Sequence, residues 1–353
     1  MGSIHVTWWN LQNFFDIDDD PISRDFEYTA EHGWTQDVFS AKKSNLAAGL
    51  SATHDGAGPD LLCVAEIEKD SLLADLVSEM GNPHMKVVVD QSGTSDLRGI
   101  DVAMAYDDRK LRVISHHSHL VHLRYRTRDI FEVVFEIIET GEILAVFGNH
   151  WPSRRMGKYR SEPLRIAVAE HMAYLAESHV KILPEDYEIL RNTNELAPVK
   201  SKWEAKVLIM GDFNDAPDDR SISEHLKASN EIDRVTGETN DIDGFRNRTS
   251  DYRGQDVFLF NATAKFVPIQ NVGTYFLDTL MSGEKFANRY QILDQIIVSR
   301  GLISGHGLTL DLDSVDIFRD PLVATGSGRP RSFSKRNKKG TSDHLPVTAV
   351  LKY

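Results

Sequence analysis

Cysteine is nearly absent from the 353-residue chain: Cys63 is the only one. A lone thiol forms no internal disulfide, and with neither cysteine pairs nor a His-Glu-x-x-His motif, thiolate and thermolysin-like zinc sites are excluded. Cys63 lies inside an apolar run, where a small core side chain is its expected role, and the count fits a reducing compartment. No apolar stretch reaches the ~20 residues of a membrane span. No export signal precedes the strand-like sequence from Ile4, which points to the cytoplasm. Met1-Gly2-Ser3 resembles a cloning remnant, which leaves room for a removed signal. Basic charge is also scarce. Forty Lys and Arg stand against 53 Asp and Glu, for a net charge of -13, so a uniformly basic surface that wraps nucleic acid is excluded. Affinity for a long polyanion would need basic residues concentrated locally. Low-complexity tracts and short repeats are missing, and nothing indicates a protein partner.

What the chain does have is ordinary for a soluble globular protein: 41% hydrophobic and 26% charged residues, enough to bury a large core. Apolar runs of strand length occur at 4–10, 60–68, 85–90, 101–106, 131–138, 143–147, 207–210, 292–299 and 348–351. Helical spacing occurs at 41–51, 71–80 and 164–176, and a further helix is expected near 222–226. Ser161 is a candidate N-cap for the third of these, with Pro163 near its start, where proline is tolerated. Strands and helices intermix throughout, which gives an α/β or α+β class. The stretches near 16–39, 179–203 and 312–340 read as insertions. Two Asn-x-Thr triplets, at Asn247 and Asn261, match the glycosylation pattern, which is short enough to recur by chance.

The chain is organised around Val207-Leu208-Ile209-Met210-Gly211-Asp212-Phe213-Asn214-Asp215. A buried strand stops at a glycine, and Asp212 and Asn214 follow two residues apart. In an extended chain that spacing puts both on one face. A carboxylate beside an amide suits a hard cation, or a water next to phosphate. Four other apolar runs also end in polar clusters, at Asn10, at Glu66, at His150, and at Asp343 with His344. Asp294 sits within an apolar strand, where a buried charge must be matched. A histidine is the natural partner, and a histidine oriented by a carboxylate becomes a better proton acceptor. Each feature alone has a plain structural reading: a turn at Asn10, a surface histidine at 150, an ordinary strand-end acid at Glu66. Their joint occurrence wherever an apolar run stops favours one shared site.

Trp9-Asn10, Glu66, Asn149-His150-Trp151-Pro152-Ser153, Gly211-Asp212-Phe213-Asn214-Asp215, Leu293-Asp294-Gln295-Ile296 and Ser342-Asp343-His344-Leu345-Pro346 follow one another in a single order. That order resembles the endonuclease/exonuclease/phosphatase superfamily, and Arg154 with Ser161-Glu162-Pro163-Leu164-Arg165 is similar to its bacterial nuclease-like members. The resemblance implies a four-layered α/β sandwich, with two packed mixed sheets flanked by helices, formed by residues 1–353 as a single catalytic domain. It implies that Glu66 holds a metal with Asn10 and Asp343, the ion being Mg²⁺ or Mn²⁺. Asp212 and Asn214 would position the attacking water and a phosphate oxygen. His344, held by Asp294, would be general base or phosphate contact, and His150 would stabilise the pentavalent phosphorus or protonate the leaving oxygen. Arg128, Arg154 and Arg98 would contact substrate. Ala65 stands where many relatives have glutamine, and Glu68, on the same face as Glu66 in a regular strand, could share the metal role.

The expectation is a divalent-metal-dependent phosphodiesterase acting on DNA or RNA. A phosphatase of a small phosphorylated metabolite or lipid headgroup is the alternative in the same fold, and an inactive binding module a third reading. The nucleic-acid reading rests on the segment 319–340, whose Arg329, Arg331, Lys335, Arg336, Lys338 and Lys339 precede Asp343 and His344. They would form a mobile basic arm beside the catalytic histidine.

Overall fold

The computed structural model describes residues 2–19, 26–89, 99–124, 126–193, 195, 197–237, 256–278 and 289–353. Arg98 and the triplet at Asn247 lie outside the described residues. The first sheet has six strands: β1 (Ser3–Phe14), β2 (Leu61–Ile67), β3 (Met85–Val87), β4 (Asp101–Asp107), β14 (Thr309–Ile317) and β15 (Val347–Lys352). Their spatial order is β14-β15-β1-β2-β4-β3. The second has seven: β5 (Leu111–His119), β6 (Ile130–Ile137), β7 (Ile143–His150), β8 (Lys206–Asp212), β9 (Ala228–Ser229), β10 (Leu259–Asn261) and β13 (Asp294–Val298). Their order is β5-β6-β7-β8-β13-β10-β9. A two-stranded ribbon, β11 (Tyr275–Phe276) with β12 (Tyr290–Gln291), completes the β structure of the described residues. The helices are α1 (Gln36–Ala52), α2 (Asp70–Glu79), α3 (Lys158–Val180), α4 (Pro184–Asn192), α5 (Ala197–Trp203) and α6 (Ile232–Thr236).

The central strands β1, β2, β7 and β8 read as continuous apolar runs because both faces are covered. One apolar cluster joins the two sheets and includes Trp8, Leu62, Val64, Met104, Phe135, Val146, Leu208 and Met210. Another packs α3, through Val168, Met172 and Ala176, on the outer face of the second sheet at Phe147, Val207 and Ile209. This gives helices on sheet on sheet on helices, the expected four layers. The sheets approach closely at Gly148, where an added Cβ would lie 2.5 Å from Val102 Cγ1 and 2.7 Å from Cys63 Sγ.

Several local expectations shift. Helix α3 begins at Lys158, six residues before the expected start, so Pro163 falls one turn inside it. Ser161 does not cap. Its hydroxyl donates to the Gly157 carbonyl at 2.9 Å and accepts from buried Arg165 at 2.7 Å. The expected helix near 222–226 is a single wide turn, Ser221–His225. Strands β5 and β14 carry alternating polar residues at sheet edges, and their sequences hid them. The stretch 179–203 forms α4 and α5, joined by an apolar cluster of Tyr187, Val199 and Trp203. Asn261 is buried and donates to Gln295, which leaves its triplet no room for a glycan.

Residues 319–340 are not a free arm. Val323 and Ala324 are buried, and backbone hydrogen bonds tie Arg331 to Val323 and Ser334 to Lys339. The Phe333 amide donates to the Gln12 side chain at 2.8 Å. Basic side chains do part of the fastening: Arg331 donates to the Ala324 carbonyl, Lys335 to the Glu27 carbonyl, and Lys338 lies 3.4 Å from Asp37.

Candidate active site

Strand register brings the polar tips together. Parallel pairing of β7 with β8 sets His150 beside Asp212, and antiparallel pairing of β8 with β13 sets Asp212 beside Asp294. The three side chains thus form a row across one end of the second sheet. In the first sheet β1 pairs parallel with β2, placing Asn10 beside Ala65 and next to Glu66, while β15 runs antiparallel to β1 and brings Asp343 and His344 to the same end. Ser342 Oγ donates to the Asn10 carbonyl at 2.6 Å, and the Trp9 indole donates to the His344 carbonyl at 2.9 Å. Those two bonds tie the segment entering β15 to β1.

The backbone bends sharply at this end. Gln12, Asn13, Glu66 and Asn214 all have φ between 52° and 60°, a left-handed conformation that costs non-glycine residues of order 1 kcal/mol or more. Hydrogen bonds made at the site offset three of these turns. The Gln12 amide donates to Asn10 Oδ1 at 2.9 Å, the Asn13 amide to Glu66 Oε2 at 2.9 Å, and the Asn214 amide to Asp212 Oδ1 at 2.9 Å. The extended-chain argument for Asp212 and Asn214 therefore fails in detail, because Asn214 reaches the site by a turn. Its side-chain amide donates to the Trp151 carbonyl at 3.1 Å. The turn at Glu66 also breaks strand alternation, and Glu68 points away to the Asp16 amide and Lys69.

At the centre, buried His344 donates from Nδ1 to Asp294 Oδ2 at 2.6 Å, and the Trp8 indole donates to Asp294 Oδ1 at 2.8 Å. Asp294 is fully buried and both its oxygens are occupied. His344 Nε2 points towards Asp212 Oδ2 at 3.8 Å. His150 Nε2 lies between Asp212 Oδ2, at 3.7 Å, and Glu66 Oε1, at 3.6 Å. Asn10 Nδ2 donates to Asp212 Oδ2 at 3.2 Å.

The charges are mutually tuned. Burial pushes the Asp212 carboxyl up to about 7; Asp294 and Glu66 push the same way, against His344. Burial alone would lower the His344 imidazole, but Asp294, Asp212 and Asp343 outweigh it and hold it well above its usual range. Asp343 is raised by burial and by repulsion from Glu66. Lys42 reaches the site from α1, buried between the Trp34 and Phe333 rings, and donates to the Gln12 carbonyl. Burial brings its ammonium down to about 7, with Asp343 and Glu66 opposing.

This donor set fits a hard divalent cation. Glu66 has one oxygen anchored by Asn13 and the other turned inward, and Asp343 is destabilised as an anion by its neighbour, an excess of negative charge that a cation relieves. Asp212, Asp294 and His344 also bring donor atoms within 4.8 Å of one another. Within that trio both oxygens of Asp294 are already taken up by His344 and Trp8.

The sequence profile of the Endonuclease/Exonuclease/phosphatase family matches residues 5–263, about three quarters of the chain. The chain belongs to that family. Its members are phosphoester hydrolases, and so is this protein. No curated protein sequence matches it. Among solved structures, mannosyl-6-phosphatase Bt3783 of Bacteroides thetaiotaomicron is 14% identical, with 99% of this chain and 100% of that one aligned at a TM-score of 0.52. D. rerio TDP2, complexed with a single strand DNA product, is 10% identical over 100% of both chains at 0.52. ANGEL2, a 2',3'-cyclic phosphatase, is 14% identical over 99% and 95% at 0.57. At these identities the likeness is one of fold. No helix among the described residues is long and apolar enough to cross a membrane.

Two of the arginines expected to contact substrate are engaged elsewhere. Buried Arg128 donates to the carbonyls of His150 at 3.0 Å and Trp151 at 2.6 Å, bracing the His150 turn. Arg154 meets Asp215 at 3.0 Å and Asp219 at 2.6 Å, and with buried Arg165 on Asp215 it holds the Gly-Asp-Phe-Asn-Asp turn in place. Its neighbour Arg155 is exposed instead, and its charge reaches the phenols of both Tyr28 and Tyr275. Tyr275 packs on the His344 ring at 4.9 Å, and its hydroxyl is raised to about 12 by burial and by Asp343. Tyr28, also raised by burial and then by Glu66, stacks on Phe15, and the Lys335 ammonium of the basic segment lies over its ring at 4.7 Å. No motif in the sequence marked Tyr28, Tyr275, Arg155 or Lys42.

Proposed function

We propose that the protein hydrolyses phosphodiester bonds of nucleic acid with Mg²⁺ or Mn²⁺ held by Glu66, Asn10 and Asp343. The observation that carries this reading is the Asp294–His344 pair aimed at Asp212, facing Glu66 and Asp343 across the join of the two sheets. When bound, the cation supplies charge neutralisation at the phosphate and support for the leaving oxygen. The chain's own residues do the rest. Asp212 and Asn214 orient the attacking water, His344 in its neutral form accepts its proton at Nε2 while Asp294 holds the resulting imidazolium, and His150 donates to a phosphoryl oxygen. The rim supports a nucleic-acid substrate: Tyr275 offers a stacking face for a base, and Arg155 a charge for the backbone.

A second reading, a small phosphoester substrate, is favoured by one observation. Arg331, Lys335 and Lys338 make internal contacts, which spends part of the basic charge available to a long backbone. Hydrolysis of plasmid, single-stranded DNA, RNA and bis(p-nitrophenyl) phosphate, with chelator, Mg²⁺ or Mn²⁺, tests the proposal. Activity should vanish in chelator, return with either ion and collapse in Glu66→Ala; full activity in chelator refutes the metal role. Changing the exposed Arg336 and Lys339 together to Ser, which leaves the fastening side chains in place, should weaken cleavage of long DNA and flatten its salt dependence, while the minimal diester is barely affected. An equal response of both substrates, or of neither, selects the small-substrate reading.

A further inference from the structure

A second cluster of metal-ligating side chains lies on the other face of the second sheet, away from the catalytic residues. Gly148 meets the first sheet, and His150, two residues on along β7, faces the same way; Phe147 points oppositely, under α3. Glu132 on β6 pairs directly with Phe147, so its carboxylate also lies on the α3 side, and it is buried there. Two imidazoles converge on it. His119, at the end of edge strand β5, brings Nε2 to 2.6 Å from Oε2, and His179, in the last turn of α3, brings Nε2 to 2.7 Å from Oε1. Phe147 forms the floor, 5.5 Å from the His179 ring and 6.4 Å from that of His119.

More imidazoles surround this core. His117 stands directly across the sheet register from Glu132, with its ring 6.1 Å from His119. His171, two turns before His179 on α3, is close enough to His119 and His122 for their charge to reach it. Three of the chain's 14 histidines thus face one buried carboxylate, and the charges of His119 and His122 reach His171 beside them.

We propose that Glu132, His119 and His179 form a binding site for a divalent transition-metal ion, with His171 or water completing the coordination. One carboxylate with two imidazole nitrogens is a donor set suited to Zn²⁺, Ni²⁺ or Cu²⁺ and poorly suited to Mg²⁺. It therefore differs in kind from the oxygen-rich catalytic centre. In the metal-free form each Nε2 carries a proton donated to Glu132, and the two imidazoles bracket the carboxylate from either side, so uptake draws them inward. Binding would turn the Nε2 lone pairs of both imidazoles to the ion. The ion would fasten the edge strand β5 and helix α3 to β6.

The test uses chelator-stripped full-length protein, with bound metal counted by equilibrium dialysis against Zn²⁺ and thermal melting followed with Zn²⁺, Ni²⁺ or Mg²⁺. The expected result is an equivalent of Zn²⁺ that raises the melting temperature, where Mg²⁺ does not. It should persist in Glu66→Ala, which lacks the catalytic metal ligand. In Glu132→Gln and His179→Gln, Zn²⁺ affinity should fall by roughly tenfold or more. Unchanged affinity in both variants overturns the proposal, as does loss of the Zn²⁺ equivalent in Glu66→Ala alone. Should either Gln variant fail to fold, Co²⁺ bound to Glu66→Ala decides. Visible absorption of a four-coordinate nitrogen- and oxygen-ligated ion supports the site, and its absence refutes it.

Discussion

Replacing Asp294 by asparagine changes one oxygen to an amide and little else in volume, yet it removes the group that orients His344. The carboxylate accepts from His344 Nδ1 at 2.6 Å and from the Trp8 indole at 2.8 Å. Asparagine keeps one acceptor, which Trp8 can retain. The amide then presents N–H groups to Nδ1, which forces the imidazole into the tautomer with its proton on Nε2, the atom needed to accept from water. A charge-assisted hydrogen bond is worth about 1.5–3 kcal/mol, or roughly ten- to a hundredfold in rate. Loss of correctly placed proton transfer adds to this, so kcat should fall by about 10²–10⁴. The assay is Mg²⁺-supported turnover of bis(p-nitrophenyl) phosphate as a function of pH, with melting curves to establish that the variant folds. KM should change little, since Asp294 is fully buried and touches no solvent. A folded Asp294→Asn variant with wild-type kcat across the pH range refutes the reasoning and makes the pair a structural one.

Three further outcomes are expected. Gly148→Ala should destabilise the fold by about 1–3 kcal/mol, read in denaturant melts, because its methyl group meets Val102 and Cys63 between the sheets; unchanged stability would mean that the sheets separate easily. Arg154→Ala should cost about 3 kcal/mol of stability by leaving Asp215 and Asp219 short of a partner, whereas Arg155→Ala should leave the melting temperature alone and raise KM for nucleic acid. The reverse pattern would exchange the two roles. Burial and the neighbouring His5 hold His54 down at about 4. Its contribution is thus complete above the unfolded value of 6.5 and is lost as pH falls from there towards 4, by at most about 3 kcal/mol. In His54→Asn, whose side chain tolerates the left-handed backbone there, the loss of stability between pH 7 and 4.5 should shrink; an unchanged loss would place the acid sensitivity elsewhere.

The side chains of the candidate site were legible because each ends a strand buried on both faces, and a polar residue at such a boundary stands out against its apolar run. Asp294 was legible for a related reason, since a carboxylate within a buried strand demands a partner, and His344 is that partner. Features made by backbone turns were hidden. Asn214 and Glu66 adopt left-handed conformations that period-two reasoning does not anticipate, which misplaced Asn214 relative to Asp212 and drew Glu68 towards the site. Arginines also mislead at this level, because the same guanidinium serves a phosphate or a buried carboxylate, and Arg154 is committed to Asp215 and Asp219. The basic segment read as mobile from its composition, but its few apolar residues, Val323, Ala324 and Phe333, suffice to anchor it. The Glu132 cluster joins a strand to a helix 47 residues away, beyond the reach of any local pattern.

The position of Cys63 makes the chain its own reporter of opening. Its sulfur lies in the seam between the sheets opposite Gly148, wholly buried, and burial raises its thiol well above the usual value. A disulfide reagent therefore finds no thiolate until the two sheets part. With no other cysteine in the chain, labelling has no background to subtract. Under native conditions with rapid reclosing, the labelling rate is the intrinsic thiol rate multiplied by the equilibrium fraction of opened molecules. The seam ends at the candidate site residues of both sheets, so the same rate, measured with and without Mg²⁺, would show whether a bound ion holds the two halves of the site together.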